Sequence, residues 1–116
     1  MEGTFHDRLR KKADQYAFEV YQVTREFPRD ELYGITSQLR RAALSVILNY
    51  IEGYARKQPK VQKNFFDIAY GSLKETMYLL SFSYRQKYLK EATYIILKVM
   101  GQEISQMLWG MLKRME

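Results

Sequence analysis

Lys63, Asp67, Tyr70, Lys74, Tyr78, Ser81 and Arg85 follow one another at spacings of four, three, four, four, three and four residues. At the angular step of a helix that order draws a single stripe, and Lys63, Lys74 and Arg85 recur every eleven residues along it. Eleven residues make about three turns, so the three cations form a line about 33 Å long. Cations interleaved with tyrosines suit contact with phosphates and stacking of single bases. Lys63, Lys74, Arg85, Tyr70 and Tyr78 are therefore candidate nucleic-acid contacts, and Arg40, Arg41, Arg56, Lys57 and Lys60 widen the surface if the ends of the preceding helix lie nearby. A solvated helix face carries the same pattern, and Asp67 interrupts its positive field.

The charge distribution points the same way. The formal net charge is +6, yet residues 1 to 27 carry five basic and five acidic groups, and residues 91 to 116 carry three of each. Eleven Lys or Arg against five Asp or Glu between residues 28 and 90 hold the whole excess. A localised basic field favours a polyanionic partner, RNA or DNA, over charge that only keeps the chain in solution.

Other chemistry finds little material. Cysteine is absent, which excludes disulfides, thiolate catalysis and cysteine-ligated zinc. His6 is the one histidine, placed where a terminus normally frays, so no triad or histidine metal site can be built. The carboxylates are scattered: Asp67 with Glu75, or Glu103 alone, make no pair whose surroundings separate their pKa values. No glycine-rich phosphate loop is present; Gly53, Gly71, Gly101 and Gly110 stand singly in helical patterns, where close packing is the expected reason for them. The expectation is a non-enzyme with no cofactor and no metal. The first residues show no basic-then-apolar signal, and no apolar run approaches the roughly 18 residues of a membrane span, so the expected setting is cytoplasmic with no membrane partner.

Four amphipathic segments must position the stripe. The first, from about 5 to 26, carries Leu9, Ala13, Tyr16, Val20, Val23 and Phe27 at bundle-seam spacing and is stopped by Pro28. The second, from about 31 to 56, takes Asp30 or Thr36 as its cap. The third begins with Pro59 in its first turn and runs from about 60 to 86, with Phe65, Ala69, Ser72, Thr76, Leu80 and Ser83 as its core line. The fourth, from about 90 to 114, shows Leu97, Met100, Ile104, Met107, Leu108, Met111 and Met115 at helical spacing, a stripe for core or adaptable interface rather than a metal box. Short connections make sequential helices antiparallel, so residues 1–116 are expected to form one up-down-up-down four-helix bundle, an all-α fold.

The second segment is apolar on two sides. Ile35, Leu39, Ala42, Val46, Tyr50 and Gly53 form one stripe, while Leu44, Ile47, Leu48 and Ile51 form another. The first serves the core and the second a further copy of the chain, since a monomer rarely leaves such a patch exposed. Trp109, opposite the methionine stripe, either covers a neighbouring subunit or stands as a half-buried surface aromatic, and the interface, where aromatics are enriched, is the expectation. Asn49 and Glu52, set among apolar neighbours, suit hydrogen bonds that fix helix register or subunit orientation.

Phe27-Pro28, the run from Tyr33 to Ala43, Asn49 and Glu52-Gly53, with Ile68 to Glu75 and Met107 to Leu112, together resemble the four-helix-bundle proteins encoded within intervening sequences of bacterial 23S rRNA genes. These are relatives of the Avd accessory proteins of diversity-generating retroelements. Many members place proline where this chain has Ile47, so the second helix is expected to be straighter here. The resemblance implies a homo-oligomer, a five-subunit ring of bundles, and makes a reverse transcriptase a candidate partner besides RNA or DNA. The implied role is a non-catalytic, basic accessory protein. The alternative is a structural or protein-interaction scaffold that touches no nucleic acid.

Overall fold

Side chains that can bury an apolar stripe set the architecture, and the turns between them set its handing-over points. The computed structural model describes residues 4–116. Four helices, α1 (Phe5–Thr24), α2 (Ile35–Ala55), α3 (Pro59–Arg85) and α4 (Glu91–Arg114), form an antiparallel bundle, with one 3-10 turn at Arg29–Glu31 between the first two. Its extents are 43 × 26 × 23 Å. Neighbours in sequence pack together and α4 closes against α1, with the α2–α3 pair in most extensive contact and no close backbone approach across the diagonals among the described residues. No strand occurs among the described residues.

The caps explain where the helices begin and end. Thr4 opens α1 by accepting the Asp7 amide on its hydroxyl at 3.0 Å. At the other end, Arg25, Glu26 and Phe27 donate three residues back, to Gln22, Val23 and Thr24, so the helix tightens into a turn before Pro28 is reached. Neither Asp30 nor Thr36 caps α2, contrary to expectation. The Glu31 carboxylate does so, one oxygen accepting the Ile35 amide at 3.3 Å while the other accepts the Tyr88 hydroxyl at 2.8 Å. Gly34 makes the reach possible, because a Cβ there would stand 2.7 Å from that carboxylate oxygen. Thr36 instead lies in the core, its hydroxyl without a partner among the described residues. After α3 the chain turns on Lys87, whose φ of 68° is left-handed, and Tyr88 donates to the Ser83 carbonyl as in a Schellman cap.

The core draws one stripe from each helix. Leu9, Ala13, Tyr16 and Val20 of α1 are buried as their spacing predicts, and so are Ile35, Leu39, Ala42, Val46, Tyr50 and Gly53 of α2. The α3 line is shifted: Phe66 and Leu73 are buried, while Phe65 and Ser72 are only half-buried. Ala69, Thr76, Leu80 and Ser83 are buried as expected, so large and small residues alternate along the buried side of α3. Close packing accounts for two of the four helical glycines. Gly53 faces the Phe66 ring at 2.7 Å and Gly101 the Tyr16 hydroxyl at 2.9 Å, measured from an added Cβ. Gly71 has open space there, and Gly110 meets only the Arg114 guanidinium at 3.8 Å.

Candidate nucleic-acid interface

The ten candidate contacts, five from the α3 stripe and five cations near it in sequence, do not form one surface. Arg40 turns inward along α1: its Nε donates to Thr24 Oγ1 at 2.8 Å, and its guanidinium lies 4.7 Å from the Tyr21 ring centroid. Arg41 lies beyond the opposite edge of α2, in a polar cleft of about 570 Å³ lined by Gln38, Ser45, Ser72 and Glu75. Arg56, Lys57 and Lys60 sit at the α2–α3 turn, where Arg56 pairs with Glu52 at 2.6 Å. Lys63 pairs with Asp67 at 3.1 Å, which spends much of its field locally.

The middle of the stripe is better placed. The Lys74 ammonium stands 5.2 Å from the Tyr70 ring, Tyr70 and Trp109 are 5.8 Å apart, and the Lys113 ammonium stands 5.4 Å from the Trp109 ring. The order cation, ring, ring, cation crosses from α3 to α4, and Trp109 keeps half its surface exposed. A lysine resting on a ring face is held in position yet keeps its charge, unlike one neutralised by a carboxylate. Lys74 has no carboxylate partner among the described residues, and Lys113 has only a loose one, Glu116 at 3.6 Å. Farther along, Arg85 lies 5.5 Å from the Phe82 ring, beside Tyr78 at 6.4 Å from the same ring. Lys113 escaped the sequence reading because its link to Tyr70 runs through Trp109 on another helix.

The residues expected between subunits divide as well. Leu44, Leu48 and Ile51 are exposed along the outer side of α2, but Ile47 is 7% exposed and belongs to the core. It lines a groove together with Ala17 and Tyr21 of α1. Trp109 lies on the α3–α4 face, away from that row. A second exposed apolar group, Ile95, Ile96 and Val99, occupies the first turns of α4, the helix diagonal to α2. Asn49 bonds within its own helix, its amide donating to the Ser45 carbonyl and hydroxyl, each at 2.9 Å, and it is Ser45 that meets Ser72 of α3 at 2.7 Å. Glu52 only pairs along its own helix.

His6 is held rather than frayed. Its Nδ1 stands 2.5 Å from the Tyr50 hydroxyl, and its ring lies 4.4 Å from that of Tyr54. Burial, and then the neighbouring Tyr54, push the Tyr50 phenol up, and burial does the same to Tyr16. Among the described residues no three acidic or histidine side chains converge as metal ligands, and no helix is long and apolar enough to cross a membrane.

Fold and surface together define an all-α bundle whose most distinctive exposed feature is a row of rings and cations. A family model described as 23S rRNA-intervening sequence protein matches residues 7–110, and the chain belongs to that family. Among solved structures, a protein of unknown function of the S23 ribosomal protein family from Bacteroides thetaiotaomicron VPI-5482 superposes with a TM-score of 0.88 at 19% identity. The match covers 95% of this chain and 99% of that one. This likeness shows the fold. No curated protein matches the chain.

Proposed function

We propose that this protein is a non-catalytic, homo-oligomeric accessory protein that binds RNA or DNA, of the type shared by rRNA intervening-sequence and Avd proteins. The row Lys74, Tyr70, Trp109, Lys113 carries the reading, because it sets two positioned charges beside two aromatic rings within one stretch of surface. Lys63 and Arg85 extend the track toward either end of α3. The apolar groups on α2 and α4 support assembly through two different faces, a head-to-tail contact that closes into a ring. Five subunits is the number the family resemblance implies, and a reverse transcriptase is the protein partner it suggests. The rival reading, a scaffold without nucleic acid, is favoured by the internal engagement of Arg40 and Lys63.

Trp109 is the one tryptophan and reports directly on this face. Single-stranded RNA should quench its fluorescence with an affinity that falls as salt rises, and Lys74→Gln should reduce the log–log slope by about 0.7. Unchanged fluorescence at low salt with an intact oligomer gives the lead to the scaffold.

A further inference from the structure

All four helices contribute to a cleft of about 270 Å³ at one end of the bundle, lined by Phe5, His6, Tyr54, Gln62, Phe66, Met111, Arg114 and Met115. We infer that this cleft binds one nucleoside monophosphate unit, with the base among the rings and the phosphate on Arg114. Phe66 and Met111 of its lining are buried, and two further rings complete it: Tyr54, half exposed and 4.4 Å from His6, and Phe5, 5.5 Å from the Arg114 guanidinium. Methionines adapt their shape to a planar guest. Ligand pockets usually start near 300 Å³, so the space suits one ring system and not a dinucleotide.

The polar atoms left over match a base edge. Tyr50 engages Nδ1 of His6, and the Gln62 amide nitrogen donates to the Arg56 carbonyl at 2.9 Å. That leaves Nε2 of His6 and the side-chain oxygen of Gln62 without partners among the described residues, beside the donors of Arg114. The surroundings favour a phosphate: the antiparallel topology brings Lys57 and Lys60 of the α2–α3 turn to this same end, together with Arg56 and Lys113, which pair with Glu52 and Glu116. A side-by-side ring through α2 and α4 leaves the bundle ends open. The inference rests on the nucleic-acid reading only when the unit belongs to a strand; a free mononucleotide carries the same chemistry.

The test follows methionine methyl resonances of the whole protein. Adding AMP or UMP should shift Met111 and Met115 saturably while Met100, which lines a separate groove beside Lys12 and Glu103, stays in place. Tyr54→Ala should weaken the response about 5- to 150-fold, Tyr54→Phe should preserve it, and Arg114→Gln should remove the preference for a nucleotide over its nucleoside. Equal shifts with inorganic phosphate alone overturn the base site, and so does the absence of any shift with AMP, UMP and a single-stranded oligonucleotide. If the oligonucleotide quenches Trp109 without moving Met111 and Met115, the cleft inference fails and the α3–α4 reading stands. Shifts with AMP or UMP while no strand affects Trp109 uphold the cleft as a mononucleotide site and defeat that reading. Shifts with the oligonucleotide that Tyr54→Ala removes place a strand's base in the cleft.

Discussion

The Tyr16 hydroxyl fills the space that a side chain on Gly101 would occupy, 2.9 Å from the position of its Cβ. Met77 of α3 closes the same point, its Cγ 3.0 Å from that position, so three helices meet where one residue has no side chain. Tyr16 is fully buried, and its hydroxyl has no partner among the described residues.

Gly101→Ala should therefore destabilise the fold. Overpacking costs about 1 to 3 kcal/mol, and the better helix propensity of alanine returns about 1. Tyr16→Phe removes an unpaired buried hydroxyl and should be neutral or stabilising by about 1 kcal/mol. In the double variant the clash is relieved, so urea unfolding should reveal a coupling of about 1 kcal/mol or more. Strict additivity would mean that Met77 absorbs the methyl group.

Alkaline pH should unfold this protein through the same buried phenols. Tyr16 and Tyr50 have pKa values raised above the ordinary 10.0, with burial the largest cause in each. The folded state then holds these protons where the unfolded chain has lost them, so the stability they contribute is complete below pH 10 and falls above it. Each phenol adds a slope of up to about 1.4 kcal/mol per pH unit in that range. Circular dichroism during denaturation at pH 9, 10 and 11 measures the slope, and Tyr16→Phe with Tyr50→Phe should flatten it. A wild-type profile level from pH 9 to 11 would contradict the burial argument.

Arg40 should matter for stability and not for nucleic acid. Its guanidinium is bound to Thr24, a buried residue whose hydroxyl in turn donates to the Val20 carbonyl at 2.7 Å. Arg40→Gln should cost about 1 to 3 kcal/mol in urea unfolding, since a charged hydrogen bond is lost. RNA binding by the folded fraction should keep its affinity and its salt slope. A reduced slope with unchanged stability would return Arg40 to the binding surface.

Position 47 and position 48 should separate folding from assembly. Ile47→Asp places an unpaired charge in the core and should cost on the order of 4 kcal/mol, unfolding the monomer along with any oligomer. Leu48 is 58% exposed, so Leu48→Asp should change monomer stability by no more than about 0.5 kcal/mol while reducing the mass seen in light scattering. If Leu48→Asp leaves an oligomer of unchanged mass, the outer face of α2 is not the subunit contact.

Spacing alone determined the four helices and most of the core, because burial on a helix repeats with its turn and leaves a period in the residue types. Pro28 and Pro59 marked two boundaries through their own backbone restrictions. The α2 cap was not legible, since Glu31 reaches it only where Gly34 leaves room, a relation of shape and not of pattern. Nor could spacing say that Ile47 belongs inside while Leu44, Leu48 and Ile51 remain outside; all four lie on one side of α2, and the approach of α1 decides which is covered. The stripe on α3 was visible as a line of charges and rings, but the part of it that meets rings of a second helix was not. Periodicity describes one helix at a time, whereas the row from Lys74 through Tyr70 and Trp109 to Lys113 and the cleft around His6 and Arg114 exist only because separate helices bring their side chains within a few ångströms of one another.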